Sequence, residues 1–199
     1  MKTYKNHQLN TSAISSPGRN GLLLQMGLEF EVDPSNYEED MTLDMEPSKL
    51  AMHLSLGKAK EVAQRYKNSI IIAADTFCVL GKEILGKPHT KENAKIMLNK
   101  LSGKTHSVIT GFTIIDTETN KQVSKSVETK VFFADISEKD IDDYVSLGEP
   151  LTKAGAYAMQ HRGGIFVEKI EGDYFNVVGL PLRPLFLELK NFGVNILEE

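Results

Sequence analysis

Apolar residues along this chain fall into short runs and helical stripes. Ile70 to Ala74 is a continuous, mostly β-branched run, the pattern of a strand covered on both faces. Leu22 to Met26 reads as a short helix stopped by Gly27, and Glu29 to Val32 as a strand. From Pro47, tolerated in a first helical turn, apolar residues recur at helical spacing as far as Tyr66. Thr90 can cap a helix carrying Ala94, Met97, Leu98 and Leu101, with Gly103 as its stop. His106 to Ile115 and Val127 to Ala134 read as paired strands, joined by the polar hairpin connection Asp116 to Gln122. Ser137 opens a helix with Ile141, Tyr144 and Val145. Ile165 to Ile170 reads as a strand, and Leu182, Leu185, Phe186 and Leu189 mark a last helix. The most polar stretch, Asp33 to Asp40, reads as a loop. Strands, helices and hairpins in this order predict an α/β domain with a mixed sheet.

Length and charge narrow the classes. The 199 residues suit one domain, 1–199, with room for two lobes, and no repeat or composition break divides it. Lys+Arg of 23 against Asp+Glu of 27 leaves a net charge of −4, which argues against a sequence-independent grip on nucleic acid. A single cysteine, Cys78, excludes an intrachain disulfide and a cysteine metal cage, and suits a reducing cytoplasm. Met1 to Asn10 has no apolar signal core, and no run reaches membrane length. A cytoplasmic protein with no nucleic-acid and no membrane partner is expected.

Several residues can carry chemistry. Asp75-Thr76 follows the buried run directly, where a carboxylate at a strand's carboxyl end faces the ligand crevice of an α/β sheet. It can hold a divalent cation or act as a general base, or simply cap a turn. Lys58 falls in the middle of the helical stripe of Ala51, Leu54, Val62 and Tyr66, while Lys60 points away. An inward lysine needs an anion, and a bound phosphate is one natural partner. With no protein anion in view, Lys58→Ala is expected to leave stability unchanged or to raise it. Gly86-Lys87-Pro88 puts a second cation in a rigid loop, although such triplets are usually turns. Ser15-Ser16-Pro17-Gly18-Arg19 offers hydroxyls, an Arg and free N–H groups to an anion, or else an ordinary N-cap. Glu38-Glu39-Asp40 is a solvated acidic loop or a source of a metal ligand. Gln160 can read a base edge through its amide, or stay solvated. The five histidines show no zinc spacing, and no Walker A, G-x-S-x-G or G-x-G-x-x-G pattern occurs.

Taken in order, these pieces resemble the Maf (septum-formation) family of nucleoside triphosphate pyrophosphatases. The matching segments are Ser16-Pro17 with Arg19, Phe30 to Glu39, Lys58-Ala59, Ala74-Asp75-Thr76, Leu85 to Pro88 and Leu101 to His106. They continue through Glu149-Pro150, Lys153 to Tyr157, Gln160, Gly172-Asp173-Tyr174 and Val177 to Leu182. The resemblance implies a mixed twisted sheet flanked by helices, two lobes around a central cleft, and a relation to inosine-triphosphate pyrophosphatases. It implies hydrolysis of a nucleoside triphosphate to monophosphate and pyrophosphate with Mg²⁺ or Mn²⁺. By position, Asp75 is the expected base and metal-linked acid, and Glu39 a second metal ligand. Ser16, Arg19, Lys58 and Lys87 are expected to bind phosphates, and Thr76 and Gln160 to tune base choice. The Ala-Gly-Ala-Tyr pattern with Gln160 is similar to the dTTP/UTP subgroup. The chain departs from the family pattern at Ile14, Gly18 and Gly21, which stand where Ser, Arg and Glu are usual, and at the polar stretch Gln8 to Ser12. Pyrophosphatase action on 7-methyl-GTP, and a weakly active nucleotide-binding regulator of cell division, stay open as alternatives. The partners expected are the nucleotide and a second copy of the chain in a homodimer.

Overall fold

The computed structural model describes residues 11–12 and 16–197, with side chains from residue 16 onward. The architecture is α/β. In chain order it comprises β1 (Thr11–Ser12), α1 (Pro17–Gln25), α2 (Pro47–Ala63), β2 (Ile70–Leu80), β3 (Glu83–Leu85), α3 (Lys91–Leu101), β4 (Thr105–Asp116), β5 (Gln122–Phe133), α4 (Glu138–Ser146), β6 (Val167–Glu171), α5 (Tyr174–Val178) and α6 (Leu182–Asn191). Strand order is β1-β2-β4-β5-β6, with β3 also paired to β2. β1 runs parallel to β2, while β3 and β6 are antiparallel to their partners, so the sheet is mixed as the pattern predicts. The chain forms two compact units. One takes in the described parts of Met1–Asp75, Thr110–Val127 and Gly179–Glu199, the other Thr76–Ile109 and Glu128–Val178.

In the first unit, α2 lies on the face of β2 that carries Ile71 and Ala73. Ala59 and Val62 join these two residues and Ile115 in one core cluster. Two devices set the helix on the sheet. Gly111 of β4 meets the helix backbone so closely that a Cβ there would lie 2.2 Å from the Ala51 carbonyl. Beside it, a row of hydroxyls runs from the buried Ser55 to the buried Thr113 at 2.9 Å and from Thr113 to the half-buried Ser124 at 2.8 Å. Because side chains alternate along a strand, Asp75 shares the face of Ile71 and Ala73 and points toward α2.

The second unit has its own core, where Leu98, Leu101, Ile141, Tyr144, Phe133, Tyr157 and Phe166 are buried together. The helix caps read from sequence are in place. Thr90 accepts from the Asn93 N–H at 3.2 Å, and Ser137 from the Asp140 N–H at 3.1 Å. His106 is 2% exposed and shares a 2.9 Å hydrogen bond between Nε2 and the Tyr157 hydroxyl. Its ring packs edge-on against Phe133, and its Nδ1 has no partner among the described residues.

Several boundaries differ from the sequence pattern; β5 begins at Gln122 rather than Val127, and Ile165 and Phe166 lie in a 3₁₀ turn before β6 begins at Val167. Glu29 to Val32 forms only isolated bridges, because its side chains are mostly exposed and offer no buried face to hold a strand. α1 starts five residues before Leu22, at Pro17, where proline's fixed φ suits a first turn. α2 ends at Ala63, before Tyr66. β2 does not stop at Ala74. It runs on to Leu80, because Phe77, Cys78 and Val79 are also buried. Asp75 and Thr76 therefore sit inside a strand rather than beyond its carboxyl end. The expectations at Ile14 and over Gln8 to Asn10 lie outside the described residues, as do the side chains of Thr11 and Ser12.

The buried histidine makes acid stability testable. Burial pulls His106 down from 6.5 to about 4. The unfolded chain therefore takes up a proton on this residue as pH falls from about 6.5, while the folded chain resists until about 4. Stability from this source is full above about 6.5 and falls toward pH 4, by roughly 3 kcal/mol in total. Urea unfolding of the native chain and of His106→Gln, at pH 7 and at pH 4.5, checks this. The histidine chain is expected to lose more stability between the two pH values than the glutamine variant.

Candidate active site

Four charged side chains of the first unit converge where β2 meets α2. Lys58 leaves the buried stripe of α2 and places its ammonium against Asp75 Oδ1, and against Glu39 Oε1 at 2.7 Å. The Lys58 and Asp75 side chains are only 12% and 8% exposed, whereas Glu39 is 43% exposed. Arg19, in the first turn of α1, donates from Nε to the Gly179 carbonyl at 2.8 Å and from Nη1 to the Ala74 carbonyl at 3.1 Å. Burial lowers the Arg19 guanidinium from its ordinary value, and the negative charges of Asp75 and Glu39 act against that fall. Two cations thus face two carboxylates, and their formal charges cancel.

The sequence places Lys58 correctly on the inward face but misses its partners. Asp75 is 17 positions away and Glu39 lies in an irregular loop, so neither is visible in the helical pattern. The expectation of an unpaired ammonium is therefore corrected. Within the acidic triplet the structure separates the roles. Asp40 accepts from Thr42 N–H at 2.9 Å and from its hydroxyl at 2.6 Å, closing a turn, while Glu39 reaches Lys58. Ser16 occupies the N-cap position of α1, and its side chain makes no capping bond.

Thr76, Lys87 and Gln160 belong to the second unit. Thr76 is half-buried in β2. Lys87 is exposed in a loop whose Gly86 carbonyl accepts from Gly155 N–H at 3.1 Å. Gln160 is half-buried and follows a strained segment, with Gly155 at φ 67° and the buried, non-glycine Ala156 at φ 62°. The motif residues Glu149 and Asp173 have structural partners. Glu149 accepts from the Tyr144 hydroxyl at 2.8 Å and from Gly163 N–H at 3.1 Å, and Asp173 accepts from Phe175 N–H at 2.8 Å at the start of α5. Burial pushes the Cys78 thiol up to about 12, so it is no nucleophile at neutral pH.

The donor set suits one kind of metal. Among the described residues no group of three or more His, Cys, Asp and Glu could hold an ion by itself. Asp75 and Glu39 offer two hard carboxylates on one point. Mg²⁺ is commonly held by one or two carboxylates, with water and substrate phosphates completing the shell. The pair fits such an ion and does not fit a closed, all-protein cage. Among the described residues, no helix is long and apolar enough to cross a membrane.

Breaking the ion pair should cost stability. Lys58→Met leaves Asp75 charged and mostly buried with one cation fewer, which is expected to destabilise the fold by about 3 kcal/mol. Adding Asp75→Asn to that variant should restore much of the loss. Urea unfolding of the wild-type chain, both single variants and the double variant measures the coupling. Equal stability of Lys58→Met and wild type would show that the pair carries no load.

Comparison with known proteins agrees with this arrangement of motifs. The family model described as Maf-like protein matches residues 13–192. A protein of Methanosarcina mazei named dTTP/UTP pyrophosphatase is 44% identical over 188 residues, covering 94% of this chain and 95% of its own. A protein of Thermoanaerobacter sp. with the same name is 48% identical, covering 93% of this chain and 97% of its own. Among solved structures, the Staphylococcus aureus Ham1 protein is similar at 15% identity, over 64% of this chain and 72% of that one, with a TM-score of 0.46.

Proposed function

Since this chain belongs to the Maf family, we propose that it hydrolyses dTTP and UTP to the nucleoside monophosphate and pyrophosphate. The names of the relatives, which match nearly end to end, support the substrates. The observation that carries the chemistry is the buried Lys58 ammonium bonded to both Asp75 and Glu39, with Arg19 alongside.

In this reading Asp75 is the general base. It takes a proton from a water as that water's oxygen bonds to the α-phosphorus. The bond from the α-phosphorus to its bridging oxygen breaks, and the electron pair leaves on pyrophosphate. Lys58 fixes the Asp75 carboxylate on the stiff strand and supplies positive charge beside the phosphates. Arg19 adds a second, geometrically fixed charge, and Ser16 a hydroxyl. Lys87 is proposed as a further phosphate ligand, and Thr76 and Gln160 as residues that bear on base choice.

A divalent ion, Mg²⁺ or Mn²⁺, is proposed as cofactor, with Asp75 and Glu39 as its protein ligands. When bound it supplies charge to the polyphosphate and polarises the α-phosphoryl group. The need for it follows from charge. Two carboxylates cancel Lys58 and Arg19, so the four side chains alone offer a polyanion no net attraction.

Pyrophosphate release from dTTP, UTP, CTP and 7-methyl-GTP, with Mg²⁺ or Mn²⁺ and after chelation, tests the proposal. Preferential cleavage of dTTP and UTP is expected, abolished by chelator. Binding of dTTP with no release from any nucleotide would make the chain a nucleotide-binding protein without turnover.

Two substitutions refine it. Asp75→Asn keeps the shape but cannot accept a proton, and kcat is expected to fall about 10²- to 10⁴-fold with the fold retained by circular dichroism. Gly18 stands at the second residue of α1 where the family pattern has Arg. Gly18→Arg is expected to raise kcat/KM for dTTP and UTP about tenfold or more through a charge-assisted hydrogen bond. Unchanged kinetics would show that position 18 does not face the nucleotide.

A further inference from the structure

Glu39 lies in a loop without regular structure, yet its carboxylate must meet Lys58 at one point. The preceding residues show how this is managed. Ser35 donates from its hydroxyl to Glu61 Oε2 at 2.9 Å, and Asn36 N–H donates to the same oxygen at 3.1 Å. Arg65 and the Tyr66 hydroxyl both donate to the Asp33 carboxylate, at 2.7 and 3.0 Å. The loop is thereby tied to the last turn of α2 and the residues just past it. Its last anchor before Glu39 is Tyr37, whose ring lies flat against Gly57, one residue before Lys58. A Cβ on Gly57 would fall 2.3 Å from Tyr37 Cζ and 2.5 to 2.6 Å from two further ring carbons.

Gly57 is otherwise hard to account for. It sits inside a seventeen-residue helix, where glycine is a poor helix former. Its φ is not in the left-handed region, so the backbone does not require it. What requires it is the space that the Tyr37 ring fills. The ring hydroxyl also meets His53 Nε2 at 3.3 Å, one turn earlier on the same helix.

We infer that Tyr37 and Gly57 form a positioning pair that sets the Glu39 carboxylate at the metal site, through ring-on-backbone contact two residues from the ligand. Tyr37 and Gly57 are positioning residues here and touch neither metal nor substrate. The inference rests on the proposed role of Glu39 as a metal ligand. A methyl group on Gly57 lifts the ring, and the ring carries the loop with it. Lys58 and Asp75 are held by α2 and β2 and stay in place.

Direct Mn²⁺ binding to the nucleotide-free protein, measured by electron paramagnetic resonance, tests this without reference to turnover. Glu39→Gln is the reference variant. Gly57→Ala and Tyr37→Ala are each expected to weaken Mn²⁺ about tenfold or more. The double variant should be no weaker than either single one, because both remove the same contact. Tyr37→Phe keeps the ring and should stay within about twofold of wild type. Thermal melting should show Gly57→Ala folded, since alanine favours a helix interior. In steady state, Gly57→Ala should raise the half-saturating metal concentration more than it lowers kcat at saturating metal. If Glu39→Gln weakens Mn²⁺ and Gly57→Ala does not, the positioning role is overturned and the metal assignment stands. If Glu39→Gln leaves Mn²⁺ binding unchanged, the metal assignment falls and this inference falls with it. Weakening by Tyr37→Phe equal to that by Tyr37→Ala would move the role from the ring to the hydroxyl and overturn the packing argument.

Discussion

A lysine ammonium turned toward a protein core must meet negative charge within reach of its stem. In this chain that requirement gathers three separate parts of the sequence. Lys58 projects from the buried side of α2, so an acid has to stand on the strand beneath it. Asp75 meets the need by sharing a face with Ile71 and Ala73. A second acid has to arrive from outside the helix and sheet, and the loop carrying Glu39 supplies it. Desolvation makes each member dependent on the others.

The ion cluster is only as well placed as the helix that carries Lys58. α2 is seated by backbone contact at Gly111 and by the hydroxyl row at Ser55, both within two turns of the lysine. Apolar packing of Ala59 and Val62 continues the same face. The two carboxylates rest on different supports. Asp75 is part of a continuous paired strand, whereas Glu39 depends on side-chain anchors along an irregular loop. One acid is fixed by backbone pairing, the other by a few side-chain contacts that single substitutions can remove.

Local signals in the sequence were informative where one residue type has one physical job. The caps at Thr90 and Ser137, the hairpin at Asp116 to Gln122 and the inward position of Lys58 are of this kind. The extent of β2 was not, because a carboxylate inside a buried run looks like its end. The Lys58 ammonium on α2, with the Arg19 guanidinium nearby, makes Asp75 tolerable in mid-strand. Glu29 to Val32 carried β-forming residues without a buried face, and propensity alone did not make a strand. In the candidate site, the ordered motifs named Arg19, Glu39, Lys58 and Asp75 together. Tyr37 and Gly57 left no such trace. A glycine in a helix and a tyrosine in a polar loop acquire meaning only when the ring is seen on the backbone. Some motif residues carry the fold, as Glu149 and Asp173 do through backbone N–H groups.

The row of hydroxyls beneath α2 has a direction. Ser55 gives its one proton to the Met52 carbonyl at 3.0 Å. It can then only accept from Thr113, whose single proton is spent in that bond. Thr113 in turn can only accept from Ser124. Every hydroxyl rotor in the row is therefore set by its neighbour, starting from a helix carbonyl and ending on the far strand. Reversing any one would place two protons in one gap and none in another. The helix is thus keyed to β4 by the Ser55–Thr113 bond at the head of a polarised chain that continues to β5, and a sliding of α2 along its axis would have to break that first link.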